Sequence, residues 1–140
     1  MIDSDTGWYF VHTSVKAVVV DESNRVLLAL NARGLWELPG GWPGRNDTSL
    51  VDVVIREVEE ETGLNVAVDG LVGAALLREG SLPPVAIIAF RCASVTATSQ
   101  LVVSEEHKDL RFFSVDELRG IRILPDYVRM IEAATTPGPP

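Results

Sequence analysis

The stretch from Leu38 to Leu64, LPGGWPGRNDTSLVDVVIREVEEETGL, constrains the fold more than any other part of the chain. It reads as a strand end, a glycine-rich loop, one amphipathic helix and a glycine stop. Thr48 and Ser49 precede an apolar run, and Asp52 stands three residues after Ser49 in capping-box spacing, so a helix starts there. Thr62-Gly63 ends it, because glycine takes the left-handed conformation that closes a last turn. Val51, Val54, Ile55 and Val58 fall at i, i+3, i+4 and i+7, which predicts the core-facing stripe. At 3.6 residues per turn, Glu57, Glu60 and Glu61 share an arc of roughly 100° centred about 120° from that stripe.

A carboxylate-rich helix face is ordinarily a solvated one. Two features argue otherwise here. Leu50 and Val53 lie on the side of the glutamates, so protein is expected to cover it. Three like charges within one turn also repel one another, a cost that a bound divalent cation reverses. Hard cations such as Mg2+ take oxygen ligands, often one or two carboxylates plus phosphate oxygens of the substrate. The predicted site is therefore the carboxylates together with a backbone carbonyl from Gly40 or Gly41.

These residues resemble the signature of the Nudix hydrolase family, Gly-x5-Glu-x7-Arg-Glu-U-x-Glu-Glu-x-Gly-U, with U aliphatic. Arg56 to Leu64 match its second half without a gap. The first half departs: the loop between Gly41 and Arg56 is one residue longer, and Thr48 stands where the family has its first glutamate, with Asp47 beside it. Asp47 reaches the same place if the loop bulges.

The resemblance implies an α/β fold, an α/β/α sandwich with a mixed β-sheet. It also implies hydrolysis of the diphosphate linkage in a nucleoside diphosphate derivative: a nucleoside triphosphate, a nucleotide sugar or a dinucleotide polyphosphate. It assigns Glu57, Glu60 and Glu61 to Mg2+ or Mn2+ with the Gly40 or Gly41 carbonyl, and gives Arg56 the task of orienting a catalytic glutamate. Glu106, spaced from Phe112-Phe113 like the family's later metal-linked glutamate, is the general-base candidate ahead of Glu105. A helix glutamate is the other possibility for the base. Glu59 is read as solvated and His107 as a surface histidine. Trp42 and Arg33 are candidates for substrate contact. Glu79 stands where the family's ADP-ribose-cleaving members are expected to carry a proline. The rival reading is a catalytically weak Nudix-like domain that binds a nucleotide or metabolite, which the Thr48 departure leaves open.

The remainder of the chain supplies a frame. Its 140 residues make one domain over 1–136, followed by a Pro137-Gly138-Pro139-Pro140 tail expected to be disordered. A net charge of -8 argues against a nucleic-acid duplex or an anionic membrane as partner. Cys92 is the single cysteine, set in an apolar run, so a buried thiol in a reducing cytoplasm is expected. Met1 to Gly7 lacks the order of a signal peptide, and no apolar run nears the length of a membrane span.

Ser14 to Val20 and Val26 to Leu30 flank a turn composition and form a hairpin candidate, their continuous apolar character predicting burial on both faces. Trp36 to Leu38 is a short strand. Val66 to Leu77, interrupted at Asp69-Gly70, and Val85 to Ala93 form a second hairpin, and Leu110 to Val115 another strand. Ser114 and Glu117 have capping-box spacing for a brief helix. Tyr127, Met130, Ile131 and Ala134 mark a closing helix. Trp8, Tyr9 and Phe10 are read as a core or dimer contact, with stacking on a base as the alternative, so a homodimer is left open.

Overall fold

A computed structural model describes residues 2–135. Seven strands and two helices follow in the order β1 His12–Val19, β2 Val26–Leu30, β3 Trp36–Glu37, β4 Gly40–Gly41, α1 Leu50–Thr62, β5 Val66–Leu77, β6 Val85–Ser94, β7 Asp109–Phe113 and α2 Pro125–Thr135. A four-stranded sheet runs β4-β1-β6-β5, with β1 and β6 parallel and the other pairs antiparallel; a three-stranded antiparallel sheet runs β3-β2-β7. The expected mixed α/β architecture is present. The proline- and glycine-rich tail at 137–140 lies outside the described residues.

The sandwich follows from the period of two in the central strands. Val15, Ala17 and Val19 of β1, with Leu27 and Ala29 of β2, face one way and pack with Val53, Val54 and Val58 of α1. Val18, Val26 and Leu28 face the other way and pack with Tyr127, Met130 and Ile131 of α2. Successive side chains of a strand point to opposite faces, so strands apolar at every position need a helix on each side.

That same continuity hides pairing, and the first expected hairpin is not formed as such. β1 and β2 enter different sheets and meet only at a single bridge, Val20 to Val26. The turn between them is as the composition predicts, with Asp21 Oδ1 accepting from the Ser23 and Arg25 amides and Asn24 at φ 61°. The second hairpin, β5 with β6, is present. Asp69-Gly70 is a bulge within an unbroken strand, where the register shifts between Val68 and Gly70; a bulge absorbs one extra residue without ending the ladder.

Ser49 caps α1 by accepting from the Asp52 amide, and Gly63 closes it at φ 75°, both as the sequence signals predict. The core-facing stripe is rotated from expectation: Val53, Val54, Val58, Glu61 and Thr62 are buried, whereas Val51 is 37% exposed. Leu50 is likewise exposed, so protein covers the glutamate side at Val53 and not at Leu50. The reciprocal Ser114–Glu117 box starts a short 3₁₀ helix at Asp116–Gly120. Trp8, Tyr9 and Phe10 are exposed, which removes the core reading for them. No helix among the described residues is long and apolar enough to cross a membrane.

Candidate active site

Strand β4 fixes one wall of the site. Gly40, paired with Lys16 of β1, has φ +150° and an added Cβ would lie 2.0 Å from the Val15 carbonyl oxygen, so only glycine brings the two backbones this close. Its amide donates to Glu61 Oε2 at 3.0 Å. An added Cβ at Gly41 would fall 2.5 Å from the Glu57 carboxylate; the missing side chain is the space that carboxylate occupies.

Arg56 ties the loop to the helix. Its Nε donates to Asp47 Oδ1 at 3.1 Å and its Nη2 to Asp47 Oδ2 at 2.7 Å, while Nη1 donates to Glu57 at 2.9 Å and to Glu60 at 3.2 Å. Nη2 also donates to the Trp42 carbonyl. Asp47 further accepts from the Gly44 amide at 2.6 Å, and the Arg56 guanidinium holds its carboxyl below the usual carboxylate range. Thr48 instead turns to Asp52, donating at 2.7 Å. The longer loop thus delivers Asp47, not Thr48, to the arginine.

The three helix glutamates are not equivalent. Glu60 is largely exposed and Glu57 partly covered, both held by the same Arg56 nitrogen. Glu61 is 5% exposed, and burial pushes its carboxyl up to about 7 despite the Gly40 amide and the charges of Lys16 and His107, with Glu57 adding to the rise. It comes together with two residues from beyond the helix: one donor atom each from Glu61, Glu106 and His107 lie within 4.8 Å of one another.

Of the two loop glutamates it is Glu106 that joins the group. His107 is not the surface residue expected. Its side chain is 6% exposed, its Nε2 lies 3.1 Å from Glu37 Oε1, and the Glu37 hydrogen bond raises its pKa. The cause is tertiary: the Lys108 amide donates to the Leu30 carbonyl and pins this segment against β2.

Sequence reasoning passed over Lys16 and Glu37. Lys16 is buried in β1, and its signal was a lone cation in SVKAVVV. Burial pushes the Glu37 carboxyl up, but His107, Lys16 and Asn31 outweigh it and leave it below its ordinary value. Both line a cleft of about 270 Å3 shared with Ser14, Asn31, Arg33, Trp42, Glu79 and Tyr127. The two predicted substrate contacts, Arg33 and Trp42, therefore border one opening. Trp42 is stacked on His12 at 4.2 Å, and Arg33 makes a two-pronged bond to Glu79, 2.9 Å on each prong.

Comparison with known proteins follows the same outline. The NUDIX domain family model matches residues 11–134. A MutT-like protein of Streptomyces ambofaciens is 32% identical over 127 residues, covering 90% of this chain and 79% of the relative. The crystal structure of a MutT protein from Methanosarcina mazei Go1 superposes with a TM-score of 0.70 at 30% identity, covering 87% of this chain and 91% of that one. An ADP-ribose pyrophosphatase from Streptococcus suis superposes with a TM-score of 0.70 at 26% identity, covering 92% and 96%.

Proposed function

The chain belongs to the Nudix family, and from that premise we propose that it is a divalent-metal-dependent hydrolase cleaving the diphosphate linkage of a nucleoside diphosphate derivative. The observation that carries the reading is Glu61: a carboxylate buried at 5% exposure, with a second carboxylate from Glu106 within reach. Water is kept from such a charge, and the Gly40 amide, Lys16 and His107 offset its burial only in part, whereas a bound divalent cation would complete the compensation. The residues that would hold Mg2+ or Mn2+ are Glu61 and Glu106, which lie together, joined by Glu57 and Glu60, which rest on Arg56, and by a carbonyl of Gly40 or Gly41. When bound, such an ion neutralises phosphate oxygens and acidifies a water.

The chain's own groups do the positioning. Arg56 holds Glu57 and Glu60 by charge-assisted bonds, so their carboxylates keep one orientation when substrate arrives. Asp47 anchors Arg56 in turn, filling the task of the missing glutamate. Glu106, beside Glu61, is our candidate for taking the proton of the attacking water, with the carboxylate oxygen that it does not give to the ion. The cleft bordered by Trp42 and Arg33 is just below the usual size of ligand sites, so it suits one ring system. The candidates are nucleoside triphosphates, nucleotide sugars and dinucleotide polyphosphates. The net charge of -8 suits a small polyanion reached through cations and not a duplex, and the buried thiol of Cys92 suits the cytoplasm. Exposed Ile2, Trp8 and Tyr9 offer an apolar surface for a homodimer, which sedimentation of the purified protein tests.

The deciding experiment is phosphate release from a nucleotide panel with Mg2+ or Mn2+, with product identification. Turnover is expected for at least one substrate class, abolished by chelator and cut by two or more orders of magnitude in Glu61→Gln and Glu57→Gln. Nucleotide binding without turnover under any metal would replace this reading with that of a binding domain.

A further inference from the structure

Among the described residues two buried side-chain atoms have no hydrogen-bond partner, Ser104 Oγ and His107 Nδ1, and the second lies in the carboxylate group. The other ring nitrogen is committed. Nε2 faces Glu37 Oε1 at 3.1 Å, and an ionised carboxylate only accepts, so Nε2 carries the proton. In the neutral ring this puts the lone pair on Nδ1. The imidazole is oriented through one nitrogen by a carboxylate and keeps a bare lone pair on the other, as metal-ligating histidines do.

Carboxylates also gather around this ring. A ring nitrogen of His107 and carboxylate oxygens of Glu61 and Glu106 lie within 4.8 Å of one another. Three donors spread evenly around one cation at about 2.1 Å are about 3.6 Å apart, so inward side-chain adjustments of up to about 0.7 Å each bring all three onto a single ion. The loop is held for this, with the His107 amide donating to the Ser104 carbonyl and the Lys108 amide to the Leu30 carbonyl.

We propose that His107 is a metal ligand of this chain, completing with Glu61 and Glu106 a mixed nitrogen and oxygen position that selects a first-row transition ion over Mg2+. The inference rests on the hydrolase reading above and sharpens its metal. Imidazole favours transition ions, while Mg2+ keeps to oxygen and water. Glu37 is the positioning residue: it holds the ring and fixes its tautomer without touching the ion.

Pulsed electron paramagnetic resonance of bound Mn2+ tests this directly, because the chain has only two histidines, His12 and His107. Protein labelled with 15N-histidine is expected to show modulation from a directly coordinated imidazole nitrogen, in wild type and in His12→Gln but not in His107→Gln. In the same variants, the Kd for Mn2+ and Co2+ is expected to rise at least about tenfold on His107→Gln, with the Kd for Mg2+ changing less than about twofold. The labelled wild-type spectrum needs no variant to fold. Bound Mn2+ without nitrogen modulation in wild type would overturn the assignment of His107 and leave the hydrolase reading standing. Absence of any Mn2+ binding would overturn both.

Discussion

Asp47 and Thr48 show how one residue of loop length exchanges two roles. Read along the chain, Thr48 falls where the family has a glutamate, and nothing local says which neighbour reaches Arg56. In space Thr48 bonds Asp52 at the start of α1 while Asp47 takes both the Nε and Nη2 edges of Arg56. Since Arg56 depresses the Asp47 carboxyl in the folded state, unfolding takes up a proton in that range and the bond stabilises the fold above the ordinary carboxylate pKa of about 3.9. That contribution is lost as pH falls through the lower, folded value. Asp47→Asn is therefore expected to lower stability at neutral pH and to show a shallower loss below about pH 4 than wild type, read from urea midpoints across the acid range. Parallel wild-type and variant curves would separate Asp47 from Arg56. His107 was illegible for a related reason: SEEHKD has the composition of a charged surface loop, and only the packing of that loop on β2 encloses the ring.

At the level of elements, signals that act within one turn were legible and those that depend on a neighbour were not. The start and stop of α1 are set by Ser49 and Gly63, whose hydrogen bonds stay within the helix, and Ser49→Ala is expected to cost about 1 kcal/mol in urea unfolding. The exposure of Val51 was not legible, because apolarity marks it as inside, whereas cover over the glutamate side was expected and β4 supplies it at Glu61 through the Gly40 amide. Nor does a glycine pair announce itself as a strand. Gly40 and Gly41 do different work in it, and alanine at each separates them. Gly40→Ala drives a Cβ into the Val15 backbone, which cannot give way, and is expected to cost more than about 3 kcal/mol or to prevent folding. Gly41→Ala meets only the end of the Glu57 side chain. It should fold within about 1 kcal/mol of wild type and lose turnover by a factor of about 10 to 100 through the displaced carboxylate. Full turnover in Gly41→Ala would remove Glu57 from the site.

Across the whole molecule each sheet has a central strand with apolar side chains on both faces, β1 in one and β2 in the other, and that explains both what could be read and what could not. Unbroken runs such as AVVV and VLLAL announce a buried layer with helices on each side, so the sandwich was legible. Pairing was not, since a strand without a polar face gives no clue to its neighbours; β1 passes over the adjacent β2 and pairs with β4 and β6. The core is consequently divided into a cluster beneath α2, containing Ile131, and one beneath α1, containing Leu64. Both side chains are fully buried, so truncating either to alanine is expected to cost about 2–5 kcal/mol. Their effects on function should differ. Leu64 follows α1 directly, three residues after Glu61, and a cavity there lets the last turn of that helix shift relative to β4, where displacement of about an ångström is enough to cost up to a hundredfold in rate. Ile131 supports the opposite face of the sheet from the glutamates. With kcat measured at 25 °C and corrected for folded fraction, Ile131→Ala should stay within about twofold of wild type while Leu64→Ala falls by about tenfold or more. Equal losses in the two would mean that the sheets transmit strain across the sandwich, and that α1 is not positioned by its own cluster alone.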